Sequence, residues 1–134
     1  MIKNSGFYLG KGRIYEDWHA GINFKSQNFS ILKFFKNGTV IKKSDWIYLD
    51  EIQENLKKFL KDFIDETRIN IDMEELIKIG YWVGNFIEED KILQVKFKFN
   101  DNTYTEVYTF ITPNIILNEN LDEFHFERID VELM

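Results

Sequence analysis

Hydrophobic and polar residues alternate most cleanly between Gly80 and Phe99. The run Gly80-Tyr81-Trp82-Val83-Gly84-Asn85-Phe86-Ile87 leads into a polar tip, Glu88-Glu89-Asp90-Lys91, and then into Ile92-Leu93-Gln94-Val95-Lys96-Phe97-Lys98-Phe99. Folded as a hairpin with Glu89-Asp90 as its loop, it sets Phe86 opposite Leu93, Gly84 opposite Val95, Trp82 opposite Phe97 and Gly80 opposite Phe99. The other face pairs Asn85 with Gln94, Val83 with Lys96 and Tyr81 with Lys98. One face is apolar and the other mostly polar, the period-two signature of a half-buried antiparallel sheet. Gly80 and Gly84 fall on the apolar face, where missing side chains let a sheet coil tightly around bulky neighbours.

A second hairpin is expected over Phe29 to Lys43, with Asn37-Gly38 at its tip. A two-residue loop there pairs Phe34 with Ile41 and Phe35 with Val40. Those pairs lie on opposite faces, so this hairpin is apolar on both sides and its outer face needs a cover. The next segment supplies one. Asp50 is a candidate N-cap with Gln53 at the reciprocal position. Ile52, Leu56, Phe59, Leu60 and Phe63 then recur at helical spacing, with Lys57, Lys58, Lys61 and Asp62 opposite. The pattern predicts an amphipathic helix over about 51–65, packed on the sheet. Asp72-Met73-Glu74-Glu75 repeats the start signal for a further turn.

Elsewhere, Gly6-Phe7-Tyr8-Leu9 reads as a first strand and Gly10-Lys11-Gly12 as a turn. Arg13 to Ile22 fits two readings. Ile14, Trp18 and Ile22 have helical spacing, whereas Gly21 and the aromatic content favour strand or loop. Thr103 to Ile111 is β-branched and aromatic, Thr112-Pro113-Asn114 interrupts it, Ile115-Ile116-Leu117 is short, and Glu123 to Val131 closes the chain. The expected fold is mainly β: an antiparallel up-and-down meander of eight or nine strands closing into a barrel, with one helix on it. Closure removes the edges that so many sequential hairpins would otherwise expose. With 134 residues, one Pro and no low-complexity tract, the chain reads as one domain over 1–134.

The run Leu32-Lys33-Phe34-Phe35-Lys36-Asn37-Gly38-Thr39-Val40-Ile41, the Gly80-Tyr81-Trp82 strand and the final aromatic strand resemble small bacterial lipocalin-like barrels of the calycin type. The resemblance implies an up-and-down barrel with an apolar interior. Lipocalins open with Gly-x-Trp, where Gly6-Phe7-Tyr8 has Tyr, and their Thr-Asp-Tyr motif has no match. They often carry an Arg on the last strand, for which the resemblance offers Arg128.

Composition narrows the chemistry. Thirteen Phe, six Tyr and three Trp favour strands around a bulky core. The absence of Cys removes disulfides, thiolate nucleophiles and Cys-ligated metals. His19 and His125 lie too far apart for a spaced metal motif, and no nucleophile elbow, phosphate-binding Gly loop or H-E-x-x-H helix occurs. No cofactor and no enzymatic activity are expected. Met1 begins a segment without a secretory apolar region, and no stretch approaches a membrane span, so a cytoplasmic protein without membrane partners is expected. Net charge is −6, with 4 basic and 11 acidic side chains after Gly84. Trp18 to Ser44, in contrast, holds five Lys and no acid. Such a chain is a poor ligand for nucleic acid and a better one for a basic protein.

One constellation stands out. Phe124, Phe126 and Arg128 share a strand face, so Arg128 points inward if the aromatics are core. If the turn at Asn100 to Thr103 has an even number of loop residues, Tyr104, Glu106 and Tyr108 also point inward; three loop residues would turn Glu106 out. Asp101-Asn102 favours the even register. A buried charge needs a partner, because desolvating it alone costs several kcal/mol. Arg128 paired with Glu106, beside Trp82, Phe97, Tyr104 and Tyr108, would form a partly wet candidate ligand site. Two roles follow: carriage of a small apolar ligand in the interior, or interaction with a basic protein, as when an immunity protein blocks a basic toxin.

Overall fold

The computed structural model describes residues 2–68, 72–99 and 101–128. Within them the chain forms β1 (Gly6–His19), β2 (Ile22–Phe34), β3 (Thr39–Tyr48), α1 (Ile52–Thr67), α2 (Met73–Lys78), β4 (Trp82–Glu89), β5 (Ile92–Phe99), β6 (Asn102–Thr112), β7 (Ile115–Leu117) and β8 (Glu123–Arg128). The strands pair in chain order and β8 returns to β1, closing an antiparallel barrel. The mainly β meander with a helix on it is therefore the observed architecture.

Two apolar cores flank the sheet. The inner one fills the barrel with Tyr8, Leu32, Phe34, Val40, Leu93, Val95, Phe97, Tyr108, Phe110, Ile116 and Phe124, all buried. Phe34 meets Tyr8 edge-on at 5.8 Å and Phe86 at 5.0 Å between ring centroids, and Tyr108 meets Phe124 at 5.6 Å. An eight-stranded barrel can be filled by side chains or hold one small ligand; here these side chains occupy the middle. The outer core lies where α1 covers the second face of the β2–β3 hairpin: Phe29, Ile31, Ile41 and Ile47 pack with Phe59, Phe63 and Ile64. Phe7 from β1 and Tyr81 join it, with ring centroids 5.3 and 6.3 Å from Phe63. The two-sided apolar pattern of that hairpin thus has both its partners.

The faces follow the sequence pattern, but several registers and turns do not. In the β4–β5 hairpin Glu89 pairs with Ile92, so Asp90-Lys91 form the loop and every pair shifts by two residues. Asp90 supplies the left-handed residue of that turn at φ 57°. Gly84 consequently faces Phe97, and a Cβ on it would lie 1.9 Å from the Lys96 carbonyl oxygen. Gly80 is not in the strand; at φ 103° it turns the chain between α2 and β4. In the β2–β3 hairpin Phe34 pairs with Val40 rather than Ile41. Its loop has three residues, closed by the Phe35 amide on the Thr39 carbonyl at 2.8 Å, with Gly38 at φ 89°.

Gly10-Lys11-Gly12 is not a turn. β1 runs through it, with a bulge between Lys11 and Ile14, and the segment left open at Arg13 to Ile22 is a β1–β2 hairpin turning at Ala20-Gly21. Pairing with β2 overrides the glycines. α1 begins with Glu51, not Asp50, at its N-cap and has no side-chain cap. α2 has the expected cap, Asp72 accepting from the Glu74 amide at 3.0 Å. β8 is described to Arg128, and its expected continuation to Val131 lies outside the described residues.

Candidate functional site

The turn joining β5 to β6 has an even loop, with Phe99 opposite Asn102. Tyr104, Glu106 and Tyr108 therefore share the inner face, opposite Phe97, Val95 and Leu93. Five of the six candidate residues gather near one end of the barrel. Trp82 stacks on Tyr104 with ring centroids 4.9 Å apart and rests edge-on against Phe97 at 5.7 Å. The Tyr108 hydroxyl donates to Glu106 Oε1 at 2.5 Å.

Arg128 is not the partner of Glu106. Lys42 is, donating from Nζ to both carboxylate oxygens at 2.8 and 3.0 Å. The ladders explain the difference. Phe124 is level with Ile116, and Ile116 with Phe110. Glu106 lies four residues from Phe110 toward one end of the barrel, and Arg128 four residues from Phe124 toward the other. At ~3.3 Å per residue the two sit roughly 25 Å apart along the strands. Arg128 is exposed, opposite Gly6. Lys42 was readable in principle: it lies two residues from Val40, so both point inward once the preceding loop has three residues.

The cluster is half-buried. The side chains of Lys42 and Glu106 keep 18 and 27% of their exposure. Lys42 Nζ also stands 5.5 Å over the Trp82 ring, a cation–π contact. Burial, reinforced by the adjacent Glu106 carboxylate, pushes the Tyr108 phenol well above its ordinary pKa. Tyr108 is thus a hydrogen-bond donor, not a base. Beside the cluster a hollow of about 240 Å³ is bordered by Asn118, Glu119 and Asn120 of the β7–β8 loop. Glu119 accepts from the Val107 amide at 3.2 Å, serving a β6 backbone group beyond the short β7.

A larger feature rises from this mouth. β4 accompanies β3 only from Thr39 to Lys42, and β8 accompanies β1 only from Gly6 to Gly10. The distal parts of β1, β2 and β3 therefore stand beyond the rim as a three-stranded wall. His19 lies nine positions beyond Gly10, about 30 Å of extended strand at ~3.3 Å each. Side-chain alternation carries the inner face of the barrel up this wall. On β3 it passes from Lys42 through Ser44 to Trp46 and Tyr48, and on β2 from Leu32 through Ser30 to Phe24.

There the face is aromatic and exposed. Tyr15, Ile22, Phe24, Trp46 and Tyr48 lie between 40 and 61% exposed. Tyr15 touches Trp46 and Phe24 touches Tyr48 edge-on, with centroids 6.0 and 6.4 Å apart. Tyr15, Phe24 and Tyr48 border a hollow of about 360 Å³ together with Asp17, His19 and Ser26. At its foot the Ser30 and Ser44 hydroxyls bond at 2.7 Å. The wall was missed in sequence because Gly10-Lys11-Gly12 ended the first strand too early. The available signal was Tyr15, Asp17, His19 against Phe24 and Ile22 around the Ala20-Gly21 turn.

Among the described residues, no group of three or more His, Asp or Glu side chains is arranged to hold a metal ion, and no helix is long and apolar enough to cross a membrane. Comparison of the chain with protein-family models, with curated proteins and with solved structures found no match. The fold and site define a closed eight-stranded antiparallel barrel with a polar cluster at its mouth and an aromatic wall above it.

Proposed function

We propose that the protein is a non-enzymatic interaction module that binds a basic partner protein through the aromatic wall. One observation carries this reading: five large apolar side chains stand exposed on a single face of a sheet that projects beyond its own barrel. Exposed contiguous apolar surface rimmed by polar groups marks interaction sites, and aromatic side chains dominate binding energy at them. The charge balance supports a basic partner. Net charge is −6, with the acidic surplus after Gly84, whereas the wall itself carries both signs, Lys11, Arg13 and Lys25 against Glu16, Asp17 and Asp45; the attraction to a basic partner comes from the field of the whole molecule. Toxin neutralisation is one arrangement that fits this chemistry.

The alternative, carriage of a small apolar ligand in a lipocalin-like interior, has less support. The barrel is compatible with that class of fold, but Phe34, Phe97 and Tyr108 occupy the space a ligand would take. Quantitative affinity purification from the native host, comparing wild type with a Tyr15→Ser/Phe24→Ser/Tyr48→Ser variant, tests the proposal. A basic protein retained in equimolar amount by wild type and lost by the variant is expected. A co-purifying lipid, or a partner held equally by both proteins, would overturn it.

A further inference from the structure

Independently of the wall, we infer that the outer face of β4 and β5 holds a second binding site, a groove that takes an acidic extended segment of another protein. Its floor is the outward side of β4, with Val83, Asn85 and Ile87. Met73 and Ile77 of α2 form one bank, and Lys96 and Lys98 of β5 form the other. The hollow between them measures about 490 Å³. Alternation dictates this arrangement. Leu93, Val95 and Phe97 turn into the barrel, so Lys96 and Lys98 turn out. Met73 and Val83 both pack against the outer core, which seats α2 on the β3 side of β4. Ile77 and Ile87 stand exposed.

Charge selects the occupant. Among the described residues, the lining carries two lysines and no carboxylate. Four other hollows each include an acid: Glu123 on β8, Glu106 at the mouth, Asp45 beside α1 and Asp17 on the wall. Lys96 stands between Asn85 and Thr105, and Lys98 between Val83 and Thr103. These cross-strand neighbours are uncharged, and neither lysine makes an ion pair among the described residues. Glu89, the outward acid of β4, lies four positions beyond Asn85, about 13 Å at ~3.3 Å per residue and farther than a Debye length of about 8 Å. On α2, Glu75 pairs with Lys78 at 3.3 Å, and Glu74 stays outside the lining.

Spacing selects an extended peptide over a small anion. Lys96 and Lys98 lie two positions apart on one strand face, about 6.6 Å at ~3.3 Å per residue, and carboxylates at alternate positions of an extended chain repeat at the same distance. The side chains between those carboxylates point the opposite way, toward Met73 and Ile77. A lone carboxylate would meet one lysine and leave the apolar bank unused. β3 and β5 already flank β4, so the segment is read through its side chains and not by backbone pairing. The matching sequence alternates Asp or Glu with aliphatic residues, the reverse in charge of the partner proposed for the wall.

The test titrates the full chain with a capped seven-residue peptide alternating Val and Glu, and with its Val–Lys counterpart, following amide and methyl shifts by NMR. The Val–Glu peptide is expected to move the Ile77, Val83, Ile87, Lys96 and Lys98 signals saturably, and the Val–Lys peptide to leave them unmoved. Lys96→Gln/Lys98→Gln is expected to weaken binding about threefold to thirtyfold, the range for two exposed charge pairs. Ile77→Ser, on the other bank, is expected to weaken it at least about twofold with both lysines intact. All three side chains are exposed, so these variants keep their fold. Binding that Ile77→Ser leaves unchanged, or that acetate at equal carboxylate concentration reproduces, would reduce the site to exposed lysines and overturn the groove. Equal response to both peptides, or no saturable shift in the groove, would overturn it while leaving the wall's role untouched. Concentration-dependent shifts of the same signals without peptide would assign the groove to a second copy of the chain and overturn a separate partner.

Discussion

Phe24 and Phe34 lie on the same strand and the same face, ten residues apart, and truncation should cost far more at one than at the other. Phe34 is fully buried inside the barrel between the rings of Tyr8 and Phe86, whereas Phe24 stands 40% exposed on the wall. Phe34→Ala removes a ring from a packed interior and leaves a hollow lined by aromatics. Such a change costs about 3–5 kcal/mol, lost transfer energy plus lost packing. In a chain of this size ~1 kcal/mol moves Tm by roughly 3–5 °C, so Tm should fall by about 9–25 °C. Phe24→Ala, which breaks one edge contact to Tyr48 and gives up limited burial, should cost under ~1 kcal/mol. Urea unfolding followed by circular dichroism measures both, and the midpoint should move for Phe34→Ala with the slope unchanged. The new hollow should be dry and should accept benzene, which would restore part of the lost stability. A cost under ~1 kcal/mol for Phe34→Ala would refute the packed interior. A cost above ~2 kcal/mol for Phe24→Ala would show that the wall is structural rather than a free surface.

Further outcomes follow from the polar groups and the close approaches. Lys42→Ala should destabilise by about 1–3 kcal/mol in chemical denaturation, because Glu106 is left half-buried with only the Tyr108 hydroxyl; Lys42→Met with Glu106→Leu should recover most of the loss. Burial raises the phenols of Tyr8, Tyr81 and Tyr108, with Glu66 beside Tyr81 and Glu106 beside Tyr108 reinforcing it. A phenol whose folded pKa exceeds its unfolded value near ~10 contributes stability that is intact below that value and lost as pH rises above it. Absorbance near ~295 nm should therefore show these three tyrosines ionising only as the chain unfolds, and early ionisation of all six would contradict their burial. Gly84→Ala drives a methyl into the Lys96 carbonyl and should cost at least ~2 kcal/mol in thermal unfolding, with loss of β4–β5 cross-strand signals in NMR.

How far the chain could be read in advance depended on what local pattern encodes. Alternation at Trp82, Gly84, Phe86 against Leu93, Val95, Phe97 fixes which side chains face inward, and a register error of two residues leaves that intact. Loop length is encoded more weakly. A third residue between Phe35 and Thr39 moved Phe34 onto Val40, and with that parity Lys42 became an inward residue. The Arg128–Glu106 pairing failed for a different reason. Shared inward parity says nothing about height along the barrel, which only the β6–β7–β8 ladders determine. The wall depends on β1 continuing through Gly10-Lys11-Gly12, a choice made by pairing with β2. Gly10 there sits against the Phe124 ring, where an added Cβ would lie within 2.6 Å. The helix was legible because Phe59 and Phe63 repeat at its period, although its cap at Glu51 was not.

A filled interior leaves apolar ligands no site within the barrel, so the proposed binding takes place outside it. Thermal unfolding in the presence of a panel of fatty acids, retinoids and aromatic dyes, with Trp fluorescence recorded in parallel, tests it most directly. A ligand at a hundred times its Kd would add ~2.7 kcal/mol of stability, which here means a rise of roughly 8–13 °C. A filled interior predicts an unmoved Tm across the panel and, in a Trp18→Phe/Trp46→Phe background where Trp82 is the remaining indole, unchanged emission. A saturable rise of that size, with quenching of Trp82 that Phe24→Ala leaves intact, would place a ligand inside the barrel and contradict it.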